Sequence, residues 1–225
     1  MNILQGILVS LFCTAALYLL RLGWYRLIDR PHKKETVTAA QVMMGRLKEK
    51  GMGNWLLRDC VFHTSITESD IRDLDRLAPK LSALEKEIAA WLNQPKAPHL
   101  NFYRSRLPED DRLADYDHGT RSIDVYYQRF KNCSPEKAIA AMCHESAHWF
   151  MYCMGLAQSD PVKNERDTDI TACLLGFSVY MIAGNYTLGN TRAISKRGYL
   201  KSAEMQAIRD YLLACRQQSQ AEKSV

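Results

Sequence analysis

The stretch that decides the fold is Cys143-His144-Glu145-Ser146-Ala147-His148-Trp149, a His-Glu-x-x-His motif inside an apolar segment that is typical of a helix. Residues four apart lie above one another on a helix, so His144 and His148 can offer two imidazole nitrogens to one tetrahedral metal ion. Glu145 is rotated by about 100° around the axis, where its carboxylate can serve as a general base without being a ligand. The motif predicts a zinc hydrolase, although its spacing arises by chance in roughly one chain in a hundred of this length.

A third ligand is expected, because a catalytic zinc ion takes three protein donors and keeps one position open. Glu165 follows His148 within Asn164-Glu165-Arg166-Asp167-Thr168-Asp169. On a helix, Glu165 and Asp169 share a face, which lets Glu165 bind the metal while Asp169 accepts the free N–H of a ligand histidine. The sequence therefore predicts His144, His148 and Glu165 as metal ligands and Asp169 as their supporting residue.

Together the two motifs resemble those of the gluzincin metallopeptidases, in which HExxH is followed by ExxxD; in this chain the second motif reads NExxxD. The chain is also similar to a set of bacterial membrane-anchored metallopeptidases in which a Thr-Asp pair precedes an apolar run and a glycine, here Thr168-Asp169 through Gly176. The resemblance covers about residues 100 to 210. It implies an α+β fold, with a mainly helical zincin-like domain and a small antiparallel sheet, that uses Zn²⁺ to hydrolyse peptide bonds. A metzincin is excluded, since HExxHxxGxxH would need glycine and histidine where Met151 and Met154 stand.

Length and composition allow a membrane anchor and one soluble domain, because 225 residues with 47% apolar content can form a real core. The seven cysteines are odd in number and lack CxxC spacing, which predicts neither a disulfide framework nor a zinc ribbon and favours a reducing compartment. The net charge is +5, of which +4 falls between Arg21 and Lys34. A nearly neutral remainder without a basic stripe argues against nucleic-acid binding.

The N-terminal residues predict a membrane anchor. Residues 3–20 carry no charged side chain and would span about 27 Å as a helix, close to the hydrocarbon thickness. Basic residues follow the apolar run, so we expect a single-pass inner-membrane protein with its N-terminus out and its catalytic domain in the cytoplasm. Trp24 and Tyr25 would lie at the interface. A cleaved signal peptide is the main alternative, opposed by the charge order and the absence of a cleavage site, and a buried core helix remains a second.

The predicted organisation has four parts: an anchor with its basic flank at 1–30, a connector with a short helix at 31–65, a zincin-like domain at 66–216 and a frayed tail at 217–225. Within the connector, residues 31–38 read as a polar linker and residues 37–50 as a helix that stops at Gly51. In the domain, apolar residues at helical spacing begin at Ile66, and Pro79 is expected to open a second helix.

The residues before the motif predict strands. Residues 100–104 form one candidate, and residues 113–116 and 122–127 flank Asp117-His118-Gly119-Thr120, a turn sequence, as a hairpin with Ile123, Val125 and Tyr127 on one face. By the resemblance, this hairpin is the edge on which an extended peptide would pair.

The motif helix should start with Ser134 as N-cap and Pro135 at its first position and run to Gly155. A second helix should start at Asp160-Pro161 and run through Cys173 toward Gly184. Cys173 lies on the ligand stripe, but a free cysteine on an apolar helix is more often part of the core.

A last helix should begin at Ser202 and turn its apolar side chains inward: Met205, Ile208, Leu212 and Leu213. If Tyr199 reaches the site, its phenol is a candidate oxyanion stabiliser. His118 is a weaker candidate, and a packing role is the alternative for Tyr199.

Three functions remain open at this point. The first is a membrane-anchored zinc metallopeptidase that acts on a peptide or protein substrate. The second is a catalytically inactive, metal-stabilised, membrane-anchored interaction protein, and the third is a metal-dependent hydrolase of another bond. Glu145 favours an enzyme, because a purely structural metal site has no use for a base beside the metal.

Overall fold

The computed structural model describes residues 32–58, 61–106, 112–185 and 199–223. Its helices are α1 (32–47), α2 (Gly53–Leu56), α3 (Glu68–Ile71), α4 (Leu74–Trp91), α5 (Tyr127–Phe130), α6 (Pro135–Cys153), α7 (Pro161–Ala172), α8 (Ser178–Asn185) and α9 (Ser202–Lys223). Its strands are β1 (His99–Tyr103), β2 (Ala114–Asp117) and β3 (Ser122–Tyr126). This part of the chain is mainly helical with one small sheet, so the predicted α+β class is confirmed.

Helix α1 already includes residues 32–38, so the prediction of a polar linker there is wrong. The reason is tertiary: Thr36 is fully buried, and its hydroxyl donates to Glu204 of α9 at 2.8 Å. The helical path ends in a kink within Lys48–Met52, where Gly51 has a φ of 84°. A residue with a Cβ avoids that conformation, which explains the predicted stop at this glycine.

Within the described ranges, no helix has both the length and the apolar character needed to cross a membrane. The predicted anchor at residues 3–20 and the aromatic pair Trp24 and Tyr25 lie outside those ranges.

Helix α4 is continuous through Pro79, so the prediction of a second helix starting there is wrong. Asp73 caps the helix by accepting a hydrogen bond from the amide of Asp75 at 2.9 Å. Proline costs about 3 kcal/mol in a helix interior. Each buried leucine or isoleucine contributes about 1.5 to 3 kcal/mol. Burial of the continuous apolar stripe of α4 therefore outweighs the cost of the proline. The buried members of that stripe are Leu74, Leu77, Leu81, Leu84 and Ile88.

The three predicted strands are confirmed to within a residue, but the sheet is mixed and not antiparallel as predicted. Its order is β1-β3-β2, with β3 antiparallel to β2 and parallel to β1. The chain passes from β1 at one edge to β2 at the other, and the hairpin turn after β2 then places β3 in the centre of the sheet. Ile123 and Val125 are fully buried, whereas Tyr127 begins α5.

Helix α6 lies at the centre of the core, as its apolar sequence predicts. Ser134 caps it, with Pro135 in the first turn, and side chains on several of its faces, including Met142, Ala147 and Phe150, are fully buried. Helices α4, α7 and α8 and strand β2 pack around it. The motif is therefore held on a rigid, enclosed element.

The predicted continuous helix from Pro161 toward Gly184 is wrong, because the chain bends at Gly176. The kink lies within Cys173–Phe177, where this glycine has a non-helical φ of 93°. The bend lays α8 against α6, where a Cβ on Gly184 would overlap Ala140. Cys173 is fully buried in the hydrophobic core.

Helix α9 starts at Ser202 as predicted and extends to Lys223, so it continues through residues 217–223, which were expected to fray. Met205, Ile208 and Leu212 are buried, but Leu213 is 38% exposed and does not face inward as predicted. The spacing of the buried residues explains this, since Leu213 is one position off their helical stripe.

Candidate metal centre

The candidate metal centre is formed where α6 and α7 lie side by side. Nε2 of His144 lies 3.1 Å from Nε2 of His148 and 3.0 Å from Oε2 of Glu165. Nε2 of His148 is 3.3 Å from the same carboxylate oxygen. The two histidines are buried and Glu165 is partly buried. Two imidazole nitrogens and one carboxylate oxygen thus converge on one point, and this group could hold a metal ion.

Electrostatics at that point favour a positive charge. Burial lowers the pKa of His144, but its hydrogen bonds to Asp169 and Glu165 prevail and raise the pKa well above the usual value. Burial raises the pKa of Glu165, but its contacts with His144 and His148 prevail and lower that pKa. Both shifts mean that a cation between these side chains is stabilised. The donor set and its charge therefore fit a divalent metal ion.

Asp169 contacts the ring nitrogen of His144 that does not face Glu165. Its Oδ1 lies 2.8 Å from Nδ1 of His144, and its Oδ2 accepts a hydrogen bond from the amide of Leu200 at 2.7 Å. With Nδ1 donating to Asp169, Nε2 is the ring nitrogen that faces Glu165 and is available to a metal ion. The structure thus places Asp169 in the position that its spacing from Glu165 predicts.

His148 is held by neutral groups that the sequence reasoning missed. Its Nδ1 lies 3.0 Å from the hydroxyl of Thr168 and 3.2 Å from Nδ2 of Asn164. The Thr168 hydroxyl donates to the backbone oxygen of Asn164, and Oδ1 of Asn164 accepts from the amide of Gln158. A protonated Nδ1 donates to Thr168, and the amide nitrogen of Asn164, itself a donor, is then a neighbour of the ring and not its hydrogen-bond partner. The sequence did carry a signal for this contact: Asn164 and Thr168 are four residues apart, so they share a face of the helix next to Glu165.

Glu145 is buried next to the ligands without joining them. Its Oε2 accepts a hydrogen bond of 2.8 Å from the backbone amide of Tyr116 in β2. Burial raises its pKa, and the nearby histidines oppose that shift. The contact with β2 was not predictable from the motif. It fixes one oxygen of Glu145 and directs the carboxylate toward a cavity.

The cavity has a volume of about 300 Å³, and its walls include Glu145, His148 and Glu165. The ring centroid of Tyr199 is 5.3 Å from that of His144, and burial raises the pKa of the phenol, which stays protonated. The ring centroid of His118 is 6.3 Å from that of His148. The structure therefore brings both predicted oxyanion candidates to the cavity, on different sides of the ligand group.

Comparisons with protein-family models, with curated proteins and with solved structures found no match to this chain. What is established is a group of His144, His148 and Glu165 at HExxH-like spacing that could hold a metal ion.

Proposed function

We propose that this protein is a zinc metallopeptidase of the gluzincin type. The observation that carries the proposal is the placement of Glu145. Its buried carboxylate lines the same cavity as His148 and Glu165, and the hydrogen bond from the Tyr116 amide keeps it apart from the ligand group. Two histidines and one glutamate are the ligand set of catalytic zinc in several peptidases. Bound there, zinc would supply a Lewis acid that acidifies water and polarises a carbonyl group.

Glu145 is assigned the role of general base. A carboxylate whose pKa is raised toward the working pH is better suited to accept and return a proton than an ordinary surface glutamate. The hydrogen bond from Tyr116 leaves its second oxygen to face the cavity. Tyr199 and His118 both line the cavity and are the candidates for donating a hydrogen bond to a developing oxyanion.

The outer edge of β2 is assigned to the substrate. The amide of Tyr126 in β3 donates to the carbonyl of Leu113 at 2.9 Å, so alternate residues of β2 direct their backbone groups away from β3. Tyr116 is one of these, since its amide reaches Glu145, and Ala114 is the next by the two-residue period. Ala114 also lines the cavity. An extended peptide can pair with this edge beside the ligand group.

The decisive experiment uses the full chain purified in detergent. Zinc content is measured together with hydrolysis of a mixed peptide library, in the parent, in Glu145→Gln and in Glu136→Gln. Glu136 is the matched control, an exposed glutamate in the first turn of the same helix. We expect Glu145→Gln to keep zinc and lose at least about 10²-fold in turnover, as is typical for a lost general base, while the control matches the parent.

Two results would withdraw the assignment. One is a parent that binds zinc but hydrolyses no peptide, which would favour the interaction protein or a hydrolase of another bond. The other is a Glu145→Gln variant that is as active as the parent.

We also propose that residues 3–20 anchor the protein in the inner membrane, with its N-terminus out and this domain in the cytoplasm. The support is the basic cluster that follows the apolar run. A reporter fused after Val225 should be active only if it works in the cytoplasm. Strong activity of a periplasmic reporter at that position would reverse the orientation.

A further inference from the structure

The back of the motif helix contacts a second buried acid. Glu85 is 1% exposed and interrupts the apolar stripe of α4. Its two carboxyl oxygens lie 2.9 and 2.7 Å from the hydroxyl oxygen of Ser146. Ser146 belongs to the His-Glu-x-x-His motif itself, and it is rotated by about 200° from His144 around the helix axis. It therefore faces α4, away from the ligand group.

The protons in this contact can be counted. Oγ of Ser146 also lies 2.7 Å from the backbone oxygen of Met142, one turn earlier in α6. A serine hydroxyl has a single proton, so it cannot donate to both Met142 and an ionised Glu85. If Glu85 is protonated, its O–H donates to Ser146 and Ser146 donates to Met142. This arrangement removes the buried unpaired charge and lets the Ser146 oxygen both accept and donate a hydrogen bond.

The charges around Glu85 favour the same state. Among the described residues, the titratable groups that interact electrostatically with Glu85 are Glu145 and Cys143, both on α6. An anion at Glu85 would be repelled by ionised Glu145. Burial raises the pKa of Glu85 to about 8, with a smaller opposing effect from the Ser146 hydrogen bond.

We propose that Glu85 is a neutral carboxylic acid whose hydrogen bond to Ser146 fixes the rotation of α6 against α4. The other buried side chains of α4 are apolar, and apolar contacts tolerate small rotations better than a hydrogen bond between fixed partners does. The rotation of α6 sets the positions of His144, Glu145 and His148 relative to Glu165 on α7. Glu85 is thus a positioning residue for the proposed metal centre, and only this last step rests on the proposed function.

Infrared spectroscopy of the full chain tests the protonation state directly. The parent should show the carbonyl stretch of a protonated carboxylic acid at neutral pH, and Glu85→Gln should lack that band. Any other protonated acid is shared by the two proteins and cancels in the difference. If the difference spectrum shows no such band, Glu85 is ionised and the proposal is wrong.

A double-mutant cycle tests the contact. Unfolding is measured for Ser146→Ala, Glu85→Leu and the double variant. Ser146→Ala leaves the acid without its partner and Glu85→Leu leaves the hydroxyl without the acid, so the double variant should lose less stability than the sum of the two single losses. The effects should not add, because both changes act on one hydrogen bond. Strict additivity would overturn the inference.

Metal binding tests the consequence for position. Glu85→Leu and Ser146→Ala should lower zinc affinity by about tenfold and alter the absorption spectrum of bound Co²⁺, since displaced ligands bind less well. Glu85→Gln should restore both properties. Leu84→Met is the control, because it changes the buried neighbour of Glu85 on α4 without removing either hydrogen-bond partner. A folded Glu85→Leu variant with the parent's zinc affinity and Co²⁺ spectrum would overturn the positioning role.

The two proposals fail separately. A parent chain that binds no zinc would contradict the proposed function. The infrared band and the coupling between Glu85 and Ser146 would still decide the protonation state and the contact.

Discussion

The two sides of helix α6 hold two buried glutamates in different ways. On the cavity side, Glu145 accepts a hydrogen bond from a backbone amide, which can only donate. On the opposite side, Glu85 meets the hydroxyl of Ser146, which also lies within hydrogen-bond distance of the carbonyl oxygen of Met142. Burial raises the pKa of both acids. The partners differ in what they allow: the Tyr116 amide needs an accepting oxygen on Glu145, whereas the Ser146 hydroxyl can accept a hydrogen bond from protonated Glu85.

The largest expected effect is on the cavity side. His148→Ala and His144→Ala should each abolish zinc binding, because two ligands at a site open to water hold the ion far less tightly than three. His99→Ala is the control, an exposed histidine on β1. The measurement is zinc per chain after dialysis against a weak chelator.

Glu165→Ala checks the third ligand in the same assay and should also lose zinc. Full zinc occupancy in that variant would show that the third ligand is misassigned, and Asp169 and Asp160 would be tested next.

The next largest effect compares Asp169, the partner of His144, with Thr168, the partner of His148. Asp169→Ala should weaken zinc binding by roughly 10- to 100-fold, as is usual for partners of metal ligands. Thr168→Val removes a neutral partner of His148 and should cost less, because a charged partner holds the imidazole more strongly. Competition titrations with a zinc indicator measure both. Equal losses would mean that the charge of Asp169 contributes nothing beyond its geometry.

A smaller effect should mark the side of α6 that faces Glu85. The folded state keeps the Glu85 proton up to about pH 8, whereas the unfolded chain releases it near the ordinary pKa of 4.5. The folded state therefore binds more protons between these values, and this group's contribution to stability is lost as the pH rises. The slope is at most about 1.4 kcal/mol per pH unit.

Denaturant unfolding at pH 6, 7 and 8 measures that slope. Glu85→Gln cannot titrate, so it should lose less stability than the parent over this interval while sharing every other titrating group. Parallel curves for the two proteins would contradict a proton held by Glu85.

The sequence by itself determined the local features of this protein. The helical repeat places His144 above His148 and Glu165 on the same face as Asp169, and any helix with these residues would do so. Ser134 and Pro135 set the start of α6, and alternation of side chains marked the strands. These features depend on neighbours within a few residues, which is why they were predictable.

Only the tertiary structure decided which distant groups meet. The two-residue period marks β3 as a strand but carries no record of its partner, so the parallel pairing with β1 could not be predicted. The bend at Gly176, the Tyr116 amide on Glu145 and the acid behind Ser146 likewise join segments far apart in the chain. Such contacts are set by how apolar faces pack across the whole core, and no local pattern encodes that packing.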